Sequence, residues 1–212
     1  RGLGDVYKRQ ACMSLVMGML ASLALVRLGR FRGKMSFAGM ITAPLVMPEV
    51  ITGLSLLLLF VAMEKSFGWP GGRGMLTIWI THVTFSTAFV TVILSSRLKE
   101  IDRSLEEAGM DLGASPLKVF FVITIPIITP ALLAAWLLAF TLSLDDLVIA
   151  SFVSGPGSTT LPMKVFSSVR LGISPKINAL ASIIIALVSL GVLTASWIVR
   201  GWERKKTLGI PQ

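Results

Sequence analysis

Apolar residues run through this chain in long blocks, not in alternation. Charge-free runs cover Gln10–Val26, Met75–Ser96, Val119–Leu144 and Ile177–Val199, and Met35–Met63 holds Glu49 as its only charge. A helix needs about 20 predominantly apolar residues to cross the hydrocarbon of a bilayer. Four of the five runs reach that length, and the first, at 17 residues, falls just short. In lipid only helices and closed barrels satisfy the backbone, and no run shows the period-2 alternation of a barrel strand. The pattern therefore predicts an all-α membrane protein with five transmembrane helices.

Composition points the same way. Of 212 residues, 54% are hydrophobic and 15% charged, and the mean hydropathy is +0.81, well away from the balance of a soluble domain. The cations are distributed unevenly. Arg27, Arg30, Arg32 and Lys34 fill the first loop, Arg97, Lys99, Arg103 and Lys118 the third, and Arg200, Arg204, Lys205 and Lys206 the tail. The second loop holds Lys65 and Arg73, and the fourth connection Lys164, Arg170 and Lys176. Twelve cations on one side against five on the other predict that the third loop and the C-terminal tail (201–212) are cytoplasmic in a multi-pass inner (plasma) membrane protein. The net charge of +9 is then a matter of topology. No basic patch interleaved with aromatics suggests nucleic acid.

The third loop, within 97–126, is the most structured polar segment. Ser104 and Glu107 have the spacing of a capping box, which places a helix start at Ser104. Gly113 suits a helix end in the left-handed conformation. Ser115 followed by Pro116 has the form of a cap and first helical residue, predicting a second short helix. Two short helices bent at a glycine outside the membrane suit a docking element, although the caps alone fit an ordinary turn between two spans equally well.

Other polar residues are sparse. The single Cys12 excludes an intrachain disulfide and has no metal partner at a useful spacing. His82, inside the third run, fits a helix–helix hydrogen bond better than a proton relay. There is no P-loop, and no Ser/His/Asp or Cys/His pattern suggests nucleophilic catalysis. The ten methionines do not cluster and read as packing.

The informative acids are Glu49, mid-run behind Pro44 and Pro48, and the pair Asp145–Asp146 at the outer end of the fourth run. An acid at the centre of a membrane helix costs about 2.5–3.5 kcal/mol, and the prolines break the helix beside it. Irregular backbone at that depth requires protein or a water-filled cavity alongside, so Glu49 is expected to face a pore; a structural ion pair is the alternative. Asp145 and Asp146 lie about 100° apart on a helix, so at most one points into a pathway and the other caps or pairs. Beyond them Gly155, Pro156, Gly157 and Pro162 predict a loop, and Met163–Val169 a short amphipathic stretch on the outer face.

Glu107-Ala108, Gly113 five residues after Ala108, and then Ile123, Ile125 and Pro126 resemble the "EAA" loop of ABC importer permeases. The chain departs from that pattern with Gly109 for the second alanine and Ile125 for a leucine. The resemblance implies a type I ABC importer permease (MetI-like) fold with a cytoplasmic coupling helix. Glu106, Glu107, Ala108, Gly109, Asp111, Gly113, Ser115 and Pro116 would form the ATPase-coupling loop. The runs ITAPLVMPEVITGLSLLLLF, LAFTLSLDDLVIASFVSGPG and TLPMKVFSSVRLG are similar to the second permease of bacterial polyamine importers, nearest the putrescine type.

That similarity implies a permease domain over 11–200, with five spans visible of an expected six. It implies a heterodimer with a second homologous permease, two ATP-binding subunits on the cytoplasmic face and a periplasmic substrate-binding protein. ATP would be bound by the partner ATPase, leaving this chain with no cofactor and no enzymatic activity of its own. Glu49, Asp145 and Asp146 would line a substrate pathway for a cation. A permease of the same type for another small solute, an ion-coupled secondary transporter and a channel remain alternatives. Residues 1–10, RGLGDVYKRQ, fit poorly with a chain entering from outside and are expected to be a non-native tail on a truncated chain.

Overall fold

The computed structural model describes residues 2–29 and 31–170, with scattered positions between 175 and 190. Residues up to Met163 form one compact unit and Lys164–Gln212 a second. The cationic tail and all but a few scattered positions of the expected fifth span, Ile177–Val199, lie outside the described residues.

Every element of the first unit is helical. They are α1 (Gly2–Val26), α2 (Lys34–Val46), α3 (Glu49–Phe67), α4 (Met75–Glu100), α5 (Arg103–Asp111), α6 (Pro116–Val119), a π-helical turn (Phe120–Thr124), α7 (Ile125–Asp145) and α8 (Val148–Val153). Among the described residues four stretches are long and apolar enough to cross a membrane: Val6–Val26, Glu49–Phe67, Met75–Glu100 and Pro116–Asp145. The first is longer than its charge-free run because α1 continues upstream through residues 2–10.

Two expectations need correction. The run Met35–Met63 is not one continuous helix but two, α2 and α3, broken at Met47–Pro48 as its prolines predict, and the one candidate span in it, Glu49–Phe67, begins only after the break. Pro44 sits inside α2, and it is Pro48, with ψ near 138°, that turns the chain out of helical geometry. The residue before a proline is driven away from helical geometry, and Met47 is extended at ψ 135°. Glu49 is thus the first residue of α3 rather than the middle of a helix, where its charge meets the positive end of the helix dipole. Secondly, Pro116 does not open a separate short helix. It starts a helical stretch that passes through the π turn into α7, so the loop's second half is the foot of a membrane span.

The core is three helices deep. Gln10 of α1 bonds to Ser86 and to the His82 carbonyl of α4, and Arg103, just beyond α4, reaches the Val26 carbonyl at the far end of α1. These contacts make α1 and α4 parallel. Helix α7 runs antiparallel to both, with Ser143 beside His82 and Thr124 beside Glu106. Small residues allow the approach: Ala11, Ala135 and Ala139 are fully buried with Val90, Leu94, Leu98 and Ile128. A Cβ on Gly18 would stand 2.5 Å from Val90 Cγ1, so the α1–α4 crossing accepts only glycine without rearrangement. Close packing of this kind replaces the hydrophobic drive that lipid cannot supply.

Helices α3 and α8 form a second layer. A Cβ on Gly53 would stand 2.8 Å from the Phe152 ring and 3.3 Å from Ile149 Cα, and Phe60 packs with Ile78 and Val153. Thr77 Oγ1 donates to the Val153 carbonyl at 2.7 Å, joining the start of α4 to the end of α8. After α8 the chain turns through Gly155–Ser158, as its glycines and proline predict. Helix α9 (Leu161–Arg170) covers the expected amphipathic stretch; within the second unit Arg170 lies 4.7 Å over the Phe166 ring.

Candidate functional sites at the two ends of the bundle

At the basic end, α5 projects from the foot of the spans. Its cap is Asp102, not Ser104: Asp102 Oδ1 accepts from the Ser104 backbone N–H at 3.0 Å, and the helix begins at Arg103. A carboxylate there complements the dipole better than a hydroxyl. The Ser104 N–H and then its hydroxyl hold the Asp102 carboxyl below its ordinary range. Glu107 makes no return bond to the cap and is exposed, as are Ala108 and Asp111.

The helix ends as expected. Gly113 adopts φ 83°, its N–H donates to the Met110 carbonyl at 2.8 Å, and the Ala114 N–H donates to the Gly109 carbonyl at 3.2 Å. This bond pair is a Schellman motif and requires the left-handed residue that glycine supplies. Ser115 caps the next helix at 3.4 Å with Pro116 in its first turn. Gly109 is buried: a Cβ there would meet Ile123 Cδ1 at 2.8 Å and Val119 Cγ2 at 3.2 Å. The glycine thus seats α5 closely on the foot of α7 rather than loosening it.

The carboxylate that ties the loop down is Glu106. Its Oε1 accepts from Arg27 Nη2 at 3.0 Å and from Thr124 Oγ1 at 2.9 Å, linking the ends of α1 and the π turn to α5. Arg27 and Thr124 carry no local motif, and sequence reasoning missed both. The π turn was missed too. There the Ile125 N–H reaches the Phe120 carbonyl, one residue further back than in an α-helix, just before Pro126. Widening the turn gives room for a proline ring that would clash with the carbonyl four residues back. Leu112 and Leu117, on either side of the glycine bend, are 90% and 72% exposed.

At the opposite end lies a buried polar cluster. His82 Nε2 is 2.8 Å from Asp146 Oδ2 and its Nδ1 2.6 Å from Ser143 Oγ. Asp146 also caps α8, accepting from the Ile149 N–H at 3.0 Å and the Ala150 N–H at 2.7 Å. With Asp146 as acceptor, Nε2 is the donor, and in the neutral ring Nδ1 then accepts the Ser143 hydroxyl. A serine, a histidine and an aspartate therefore do meet, which the sequence order hid. Their side chains are only 3% (His82, Ser143) and 8% (Asp146) exposed, so a substrate has no route to Ser143 Oγ and the cluster locks α4, α7 and α8 together. His82 makes the helix–helix bond expected of it.

The three pathway candidates are thus not equivalent. Asp146 is engaged by three donors, while its neighbour Asp145 is exposed. Glu49 is exposed at the α2–α3 break and makes no ion pair among the described residues. No hydrogen bond or ion pair joins Glu49 to either aspartate among those residues. No group of three potential metal ligands occurs among them either.

Comparison with known proteins follows the same outline. The chain is 64% identical over 196 residues to the putrescine transport system permease protein PotI of Escherichia coli K12, covering 92% of this chain and 70% of that protein. It is 40% identical over 199 residues to the spermidine/putrescine transport system permease protein PotC of the same organism, covering 94% and 71%. Among solved structures, an inward-facing form of the MetNI methionine ABC transporter superposes with a TM-score of 0.68 at 16% identity, over 93% of this chain and 91% of that one. Such low identity speaks to the fold alone. Residues 14–207 match the family described as binding-protein-dependent transport system inner membrane component, and the chain, a multi-pass helical membrane protein, belongs to that family.

Proposed function

We propose that this chain is the permease subunit of an ATP-driven importer that carries putrescine or a close polyamine across the inner membrane. The observation that carries this is the 64% identity to a putrescine permease across 92% of the chain. In this reading the chain pairs with a second homologous permease, receives substrate from a periplasmic binding protein and docks on two ATP-binding subunits that hydrolyse the ATP. The basic end faces the cytoplasm, with the C-terminus on the same side. Exposed Glu107, Leu112 and Leu117 around the Gly113 bend form the face offered to the ATPases.

The substrate chemistry agrees. Putrescine carries two ammonium groups at neutral pH, and Glu49 at the start of α3 and Asp145 at the end of α7 are both exposed carboxylates. Between charges about 4 Å apart, attraction rises from about 1 kcal/mol in water to about 4 kcal/mol at the effective dielectric of a partly screened protein site. A permease of the same family for another small solute is the second reading, because 40% identity still extends to a relative named for spermidine as well.

The test is uptake of labelled putrescine into vesicles holding the whole complex, with the binding protein and ATP supplied. Glu49→Gln and Asp145→Asn are each expected to lower the rate about tenfold, the equivalent of 1.4 kcal/mol in the state they favour. ATP-dependent uptake of a neutral or anionic solute in place of putrescine would refute the polyamine reading. Uptake that needs an ion gradient and no ATP would refute the importer.

A further inference from the structure

The contacts around Glu106 form a crossed latch. From α1, Arg27 Nη2 donates to Glu106 Oε1 at 3.0 Å; from the start of α5, Arg103 Nη2 donates back to the Val26 carbonyl at 3.1 Å. Thr124 Oγ1, at the last residue of the π turn, closes the figure at 2.9 Å on the same Glu106 oxygen. The Arg27 and Glu106 side chains are each 18% exposed, Arg27 Nε is enclosed without an acceptor, and Glu106 is the one carboxylate paired with Arg27 among the described residues. A pocket of about 160 Å³ bordered by Leu23, Met110 and Phe120 flanks the pair, leaving room for α5 to shift once released.

Beneath the latch, Gly109 seats α5 on Val119 and Ile123 without space for a Cβ. Above it, α7 runs 21 residues, about 32 Å at 1.5 Å per residue, to Asp145. A push on α5 can travel that length only if α5 and the foot of α7 move as one body. An apolar seat alone permits sliding, whereas a charge-assisted bond shared among three elements fixes direction.

We infer that Glu106, with Arg27 and Thr124, is the positioning latch that makes α5, the end of α1 and the foot of α7 a single moving body, so that ATPase motion reaches the substrate end. This rests on the importer reading above. It also assigns different work to adjacent acids: Glu106 faces inward and holds, while Glu107 faces outward and is free to meet a partner.

Two measurements on the full reconstituted complex test the latch. The first is the number of ATP hydrolysed per labelled putrescine transported. Glu106→Gln and Arg27→Gln are each expected to raise that ratio about tenfold, and the double variant also about tenfold, because both remove one interaction. Thr124→Ser should keep the parent ratio and Thr124→Val should raise it. A hundredfold effect in the double variant, or parent ratios in all three, would overturn the latch. Loss of the ATPases from co-purified Glu106→Gln complex would also overturn it, making Glu106 part of the dock instead.

The second measurement does not depend on the substrate. Spin labels at Asp111→Cys and Leu133→Cys, in a Cys12→Ser background, report the distance from α5 to α7. The distribution should stay narrow and unmoved when ATP is added to the parent complex, and broaden in Glu106→Gln. A parent distance that shifts with nucleotide would overturn the single-body proposal even if putrescine is transported. A complex that transports no putrescine but keeps a fixed distance would sink the polyamine reading and leave the latch standing.

Discussion

Neighbouring Asp145 and Asp146 should behave as two different kinds of residue when truncated. Asp146→Ala removes a cap that serves two backbone N–H groups of α8, worth about 1 kcal/mol. It also strands the buried Nε2 of His82 without its 2.8 Å partner, which adds about 1–2 kcal/mol. The sum is about 2–3 kcal/mol, or a shift of about 30- to 150-fold in an unfolding equilibrium. Asp145→Ala removes an exposed side chain with no ion pair among the described residues and should stay within about 0.5 kcal/mol.

Asp146→Asn should fall between the two. The amide oxygen still accepts one N–H, and the amide nitrogen can donate to His82 once the imidazole changes tautomer, but it opposes the second N–H of the α8 cap. The assay is equilibrium unfolding of the purified complex in mixed micelles with rising denaturing detergent, followed by helical circular dichroism, beside putrescine uptake at a temperature where every variant is folded. Stability should rank parent and Asp145→Ala first, then Asp146→Asn, then Asp146→Ala. Uptake per folded complex should fall most in the Asp145 variant. If Asp146→Ala unfolds with the parent while Asp145→Ala unfolds early, the cap-and-histidine assignment is wrong and the two carboxylates have been exchanged.

Three further outcomes can be checked. Gly155→Ala would place a Cβ 1.9 Å from the Arg73 carbonyl oxygen, a backbone atom that cannot step aside, so the complex should be destabilised by about 1–3 kcal/mol in the same unfolding assay. Gly113→Ala forces a left-handed residue at φ 83° and should cost about 1–2 kcal/mol locally, read as faster amide exchange in Met110–Ala114 with the spans unaffected. Asp102, whose carboxyl is held below its ordinary range, stabilises the start of α5 above its unfolded value, and that contribution is lost as pH falls through the lowered folded value. Exchange at the Ser104 amide should therefore accelerate only at strongly acid pH, and Asp102→Asn should abolish the dependence.

How much of this was legible in the sequence depended on the range of the interaction. The four candidate spans among the described residues fall within the uninterrupted apolar runs or overlap them, because a bilayer imposes one dimension on every crossing helix. The Gly113 end, the Ser115 cap and the Pro116 start followed from local rules, since each concerns atoms within a turn of one another. The loop resemblance carried the family, because its residues are spaced along the chain and need no fold to be recognised.

The tertiary structure decided the rest. Which of two adjacent glutamates on α5 is paired depends on Arg27, 79 positions away, and on the angle at which α5 leaves α4. Asp102 displaced Ser104 as the cap because the chain leaves α4 extended at Ile101 and Asp102, a geometry that composition does not encode. Two prolines four residues apart read alike, yet Pro44 stays within a helix and Pro48 ends one. The meeting of Ser143, His82 and Asp146 follows from α4 and α7 running antiparallel, which brings residues more than 60 positions apart into bonding distance. The sequence determined the apolar spans seen among the described residues and the Gly113 and Ser115 caps, where the relevant forces act along the chain. Only the packed bundle decided which polar side chains meet, because that depends on helix rotation and crossing set by close contacts such as Gly18 on Val90 and Gly109 on Ile123.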